Sequence, residues 1–372
     1  MMQLHIKRNG LWNLLAALTA SACLTTIANA QVPEDIMSAS GQLTATQTKT
    51  LHDFVTKAVG DLSGTDPKVA KTAGRQLLAP FSRTRITNSF KMAYSAELVP
   101  LLGNLVSNRT KPMHSRLEAL NILGSIASDG IIPILEGALQ SDQDAIRYNA
   151  ALAFERAMQS TANQKDIFKD RGQTTRDMIR ALHQSMSSEK SPFVLSAILT
   201  ACAADPNSAY SLLNLCDGLQ SQMHSLYKKE VPQTMVSVYQ KGVGLALKRY
   251  IGLLGNGSDL REQEKSLAQL GFTAMQLGVA EGLRGRVVDT NKSNYAKLVQ
   301  DGENLLDVVC RLDSDNKVTD QQRKGVSKAF TDGNYTQANN IIKSFWLQPT
   351  GPIYGSPHFS IAAGSLDHLF GP

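Results

Sequence analysis

Two ten-residue stretches, ELVPLLGNLV at Glu97–Val106 and GIIPILEGAL at Gly130–Leu139, carry the same apolar pattern with a proline at the same place. In the first, Leu98, Leu101, Leu102, Leu105 and Val106 fall at i, i+3, i+4, i+7 and i+8. In the second, Ile131, Ile134, Leu135, Ala138 and Leu139 do the same. That spacing lays the apolar side chains along one stripe of a helix, where a strand would alternate them. Each stretch is followed by a second amphipathic segment. Ala119, Ile122, Leu123 and Ile126 share one face of SRLEALNILGSIA, and Ala150, Ala153, Phe154 and Ala157 share one face of IRYNAALAFERAM. Arg116 and Arg147 open these second helices at matching positions.

A third, more worn copy follows, with Met178, Ile179, Leu182 and Met186 on its first helix and Leu195, Ile198, Leu199 and Cys202 on its second. TTRD at Thr174–Asp177 resembles the capping box that opens such a helix. Upstream, Leu51–Val59 and Pro67–Leu78 read as helices, the latter introduced by Thr65-Asp66-Pro67. A helical hairpin repeated every 30 to 40 residues or so has a greasy side it cannot hide alone, so neighbours must stack. The pattern predicts an all-α chain: an α-solenoid of stacked hairpins over residues 67–230. With helix starts near Ser95 and Asp129, Pro100 and Pro133 sit at or just past a first turn, where a missing amide hydrogen costs least.

Periodicity, proline placement and the opening arginines together resemble the HEAT-repeat family over about residues 67–215, and more loosely its shorter bacterial relatives. HEAT units often carry an aspartate in the loop ahead of the second helix. Asp142 and Asp144 fit that place before Arg147, whereas the loop SNRTKPMH before Arg116 has no acid. The resemblance implies a HEAT-like α-solenoid.

From Val231 the pattern changes. Val236, Tyr239, Val243, Ala246, Leu247, Tyr250 and Leu254 mark one long helix that ends in Gly255-Asn256-Gly257. Leu267, Ala274 and Leu277 mark another, in which Gly271 and Gly278 permit close approach of a neighbour. SNYAKLVQDGENLLDVVCRL, VTDQQRKGVSKAF (opening with a Thr319/Gln322 capping-box spacing) and DGNYTQANNIIKSFW supply further helices. Longer helices without a repeat predict a C-terminal helical bundle over residues 231–346. Residues 31–66 read as a flexible polar leading segment plus a first helix, and the Gly/Pro-rich stretch 347–372 as an extended tail.

The first thirty residues read as a secretory signal: a basic head with Lys7 and Arg8, a short apolar run, and Ala28-Asn29-Ala30, which sets cleavage after Ala30. The apolar run is shorter than the roughly 20 residues that span a bilayer. A lipoprotein reading ending at Cys23 ranks behind it. The expected location is exported, in the periplasm or outside the cell. No later run is long enough for a membrane span.

Loss of Lys7 and Arg8 lowers the formal net charge from +6 to +4. The densest basic groupings, Arg83–Arg85, Lys228–Lys229 and Leu283–Arg286, are short and lack interleaved aromatics, so they read as solvated helix faces and no nucleic-acid partner is implied. Cys202, Cys216 and Cys310 remain after cleavage, an odd number that excludes full pairing. Cys202 and Cys216 are compatible with a disulfide across a hairpin in an oxidising compartment, or with two buried thiols.

Catalytic patterns are missing. No H-E-x-x-H, C-x-x-C, G-x-S-x-G or phosphate loop occurs, and the three S-x-x-K matches lack companion motifs. Aromatic residues make up 6% of the chain, few for sugar-binding platforms. No metal or cofactor is expected. These readings favour a non-enzymatic exported scaffold that mediates protein–protein interaction or assembly at the cell envelope. The competing reading is an enzyme or cofactor-lyase-like maturation factor with a pocket in the C-terminal region. On a solenoid the second helices line the binding face, so Arg116, Asn121, Arg147 and Asn149 are the candidate interaction surface. Their other role would be to hold loops and helix ends within each repeat.

Overall fold

The computed structural model describes residues 31–83, 86–126, 128–163, 170–205, 207–226, 231–257, 259–311 and 325–348, with Lys229, Pro352 and Ile361. The proposed leader, its cleavage site at Ala30, the Thr319/Gln322 capping box and most of the tail lie outside these residues. No strand occurs among those described. A four-residue helix α1 (Glu34–Met37) is followed by α2 (Ala45–Leu62), α3 (Pro67–Leu78), α4 (Asn88–Ser107) and α5 (Met113–Ile126). Then come α6 (Ile132–Leu139), α7 (Asp144–Asn163), α8 (Arg171–Met186), α9 (Pro192–Cys202), α10 (Ala209–Leu226) and α11 (Gln233–Leu254). The chain closes with α12 (Arg261–Leu283), α13 (Asp289–Cys310), α14 (Gly325–Thr331), α15 (Tyr335–Ile341) and a π turn at Ile342–Trp346.

From α2 to α13 each helix packs against its hairpin partner and against the helix two places along. The result is two parallel layers, α2-α4-α6-α8-α10-α12 and α3-α5-α7-α9-α11-α13, built from six stacked hairpins. The stripes read from the sequence form the seam between layers. Ala119, Ile122, Leu123, Ala150, Ala153, Phe154, Ala157, Met178, Ile179, Leu182, Leu195, Ile198 and Leu199 are all fully buried. Leu101 and Ile134 are partly buried against the same core. Burial of each such leucine or isoleucine stabilises the fold by about 1.5–3 kcal/mol, and only the neighbouring hairpin supplies the cover.

Small residues set how closely the row packs. A Cβ on Gly124 of α5 would lie 2.6 Å from the Ala153 Cα of α7. Gly271 of α12 and Gly302 of α13 face each other so tightly that a Cβ on either would meet the other's carbonyl oxygen at 2.7 and 2.6 Å. Gly278 stands in the same way against Val299. The close approach expected from Gly271 and Gly278 is therefore the α12/α13 contact.

Four local expectations change. Thr87 caps α4, accepting from the Phe90 amide at 3.2 Å, so the helix begins well before Ser95 and Pro100 falls in its middle. Ala96, whose carbonyl Pro100 leaves without its amide partner, is exposed, so water can satisfy it. Pro133, by contrast, sits in the first turn of α6, as expected. The second change is at α8, which starts at Arg171 under an Asp170 cap; Thr174 lies inside it and donates to Asp129 Oδ1 at 2.7 Å. The third concerns residues 31–39, which are docked: Val32, Ile36 and Met37 are buried, Thr87 N donates to Met37 O at 3.1 Å, and Thr87 Oγ1 to Ala39 O at 2.6 Å.

The fourth change is the largest. The division expected at residues 230–231 falls between α10 and α11, the two arms of one hairpin, and the ladder runs across it to α13. The short helices α14 and α15 then pack on α13 and α12 and close the row. Trp346 is fully buried, and in the tail both Pro352 and Ile361 are buried too.

Candidate interaction surface

The turns that join the arms of each hairpin lie along one edge of the row, and polar side chains tie each turn to the next. Ser115 Oγ donates to Gly64 O at 3.3 Å, joining the first two hairpins. Arg116 Nε donates to Val106 O and Nη1 to Gln143 Oε1, both at 2.9 Å, so one side chain holds its own turn and the following one. Arg147 repeats the arrangement one hairpin later. Its Nη1 donates to Ser141 O at 2.9 Å, while Nε and Nη2 form a two-pronged bond to Glu189 at 2.8 and 3.0 Å. Gln222 donates to Glu189 O at 3.2 Å and to Met186 O. Arg286 donates to Lys229 O at 3.0 Å and completes the edge.

Two of these rungs contain buried carboxylates. The Glu189 side chain is 4% exposed and also accepts from the Lys190 and Ser191 amides at 2.9 and 2.8 Å. Its hydrogen bonds are the main reason the Arg147 guanidinium is held above its ordinary value. Glu281 is fully buried and pairs with Arg284 at 2.9 Å and Arg286 at 3.2 Å. Both arginines of the basic grouping LRGR are thus engaged by one carboxylate. At the end of the row, Glu303 accepts from the Val326 and Ser327 amides at 3.0 Å each. Burial pushes its carboxyl up against the downward pull of those two donors.

The four residues read as an interaction surface are therefore distributed differently from one another. Arg116 is buried and Arg147 is mostly covered, and both serve the turn ladder. Asn121 and Asn149 are half-buried. Arg156 of α7 donates to Asn121 of α5, and Asn149 donates to Ala145 O of its own helix at 2.9 Å. Of the two alternatives for Cys202 and Cys216, the structure has the buried free thiols. Burial pushes Cys202 up to about 12, and burial followed by the charge of Asp217 pushes Cys216 up as well.

What the sequence reading passed over is apolar. Tyr148 on α7 and Phe193 on α9 are 39% and 75% exposed. They hold the same place relative to the buried stripes of adjacent helices, two residues before Ala150 and Leu195. The signal was available, since each lies directly after the position aligned with Arg147. Among the described residues no group of three or more His, Cys, Asp and Glu side chains is placed to hold a metal ion. No described helix is long and apolar enough to cross a membrane.

No protein-family model matches the chain, and no characterised protein matches it in sequence. Among solved structures it is similar to an engineered protein from a structural genomics consortium, 16% identical over 68% of this chain and 97% of that one, with a TM-score of 0.36. A second engineered protein of the same origin is 13% identical over 86% and 95% of the two chains, with a TM-score of 0.22. A computationally designed self-assembling cyclic homo-oligomer is 11% identical over 81% and 96%, with a TM-score of 0.21. The described residues form an all-α, repeat-like array.

Proposed function

We propose that this chain is an exported, non-enzymatic HEAT-like scaffold that mediates protein–protein interaction or assembly at the cell envelope. One observation carries the reading. Tyr148 and Phe193 stand exposed on two neighbouring helices of the second layer, each two residues before a fully buried stripe residue, Ala150 and Leu195. Exposed aromatic side chains on adjacent helices are the kind of apolar anchor that protein interfaces are built around. The docking surface proposed here is accordingly Tyr148 with Phe193, and Arg116 and Arg147 support it from the turn edge.

A photo-crosslinking residue placed at position 193 should capture a discrete envelope or secreted protein. The same residue at Met92, exposed on the first layer, should not. Tyr148→Glu should reduce capture from position 193 by about tenfold or more while leaving the melting profile intact. Equal capture from both positions, or none, would count against the scaffold. Export is checked separately, by finding Gln31 as the first residue of protein outside the cytoplasm.

A further inference from the structure

Arg116 and Arg147 hold equivalent places in consecutive hairpins, yet only one of them has a counter-charge. Arg147 lies between Asp144, three residues before it at 2.7 Å, and Glu189 in the next turn at 2.8 Å. At Arg116 the residue three before is Met113, and the acceptor in the next turn is the neutral amide of Gln143. Arg116 is 5% exposed and forms no ion pair among the described residues. Its Nη2 makes no hydrogen bond to them. A buried guanidinium without an anion is costly, and the usual remedy is a carboxylate on its planar fork.

Arg116 also lines a cavity of ≈ 460 Å³ between α4, α6 and the start of α7. The walls include Val106, Ile134 and Ile146, and Gly137 leaves one side of the space open. Arg109 stands at the rim, already paired with Asp142 at 3.2 Å. With Ser107, Gln140 and Ser141 beside these apolar residues, the lining is mixed, and a mainly apolar recess with a few polar groups around one buried charge is the usual make-up of a small-ligand site. We propose that this cavity binds a carboxylate carried on a short apolar stem, with Arg116 as its counter-charge. The carboxylate would come from a free monocarboxylic acid or from the C-terminal residue of a peptide. This site is independent of the Tyr148/Phe193 surface, so either can fail without the other.

Hexanoate and acetyl-Ala-Ala-Leu serve as probes on the full chain, with hexanamide and the peptide's C-terminal amide as controls, read by titration calorimetry. At least one acid should bind saturably and its amide should not. Tighter binding of hexanoate identifies a free acid as the source, and tighter binding of the peptide identifies a chain terminus. Gln143→Glu, which supplies the missing internal anion, should weaken the acid by about 30-fold or more. Gly137→Leu should do the same by filling the cavity, and nothing lies within 4 Å of the Cβ position there to stop it folding. The proposal is overturned if neither acid binds at concentrations up to about ten millimolar. It is equally overturned if an acid binds as well to Gln143→Glu as to the parent.

Discussion

Gly302→Ala is expected to destabilise the protein by about 2–3 kcal/mol, although alanine is the better helix former. The added methyl would come within 2.6 Å of the Gly271 carbonyl oxygen and 3.1 Å of the Ala274 Cβ. The first obstacle is backbone, which cannot rotate aside, so α12 and α13 must separate and uncover the side chains sealed between them. Gly244→Ala is the control. It lies on the exposed face of α11 with nothing within 4 Å of the new methyl, and should stabilise by up to about 1 kcal/mol. Urea unfolding followed by far-ultraviolet circular dichroism gives both signs. Two stabilising alanines would mean that the close helix crossing is wrong.

Glu189→Ala should cost about 1–3 kcal/mol, because it strips the half-buried Arg147 guanidinium of its two-pronged partner, leaving Asp144 alone, and removes the acceptor of the Lys190 and Ser191 amides. Replacing both charges, as in Arg147→Met with Glu189→Leu, should recover part of the loss. The half-buried cation is then gone, but the two amides still lack their acceptor. Unfolding midpoints of the two variants and of Arg147→Met alone separate these contributions. If Glu189→Ala melts like the parent, the turn ladder contributes nothing to the stack.

The hairpins of residues 67–202 were legible because each helix buries one stripe and leaves the other face wet, which is what a 3.6-residue period records. Pro67–Leu78 matches its predicted helix from end to end. Beyond residue 231 that signal fades for a physical reason. In α12 an unbroken run from Ser266 through Val279 has only one residue, Gln269, that is not buried, so no stripe exists to be counted. A helix covered on all sides reads as bundle core even when it stands in a row.

The arginines show a different limit. Arg116 and Arg147 were visible as a repeated feature, but their partners lie 27 and 42 residues away, in the next turn. Only the stacking reveals that two side chains alike in sequence are compensated so differently. Exposure is a third case: the spacing puts Tyr148 and Phe193 at one position of the repeat, and only the packing shows that position open.

The hairpins form one continuous row across residue 231, and cutting the chain there tests this most directly. Residues 31–230 and 231–348, produced separately, each carry one arm of the α10/α11 hairpin with its apolar face uncovered. If the row is continuous, neither piece should reproduce the parent's thermal transition, and mixing them should restore it as a one-to-one complex. Two pieces that each melt cooperatively, remain apart when mixed and together account for the parent's helix signal would instead establish a solenoid beside an independent bundle.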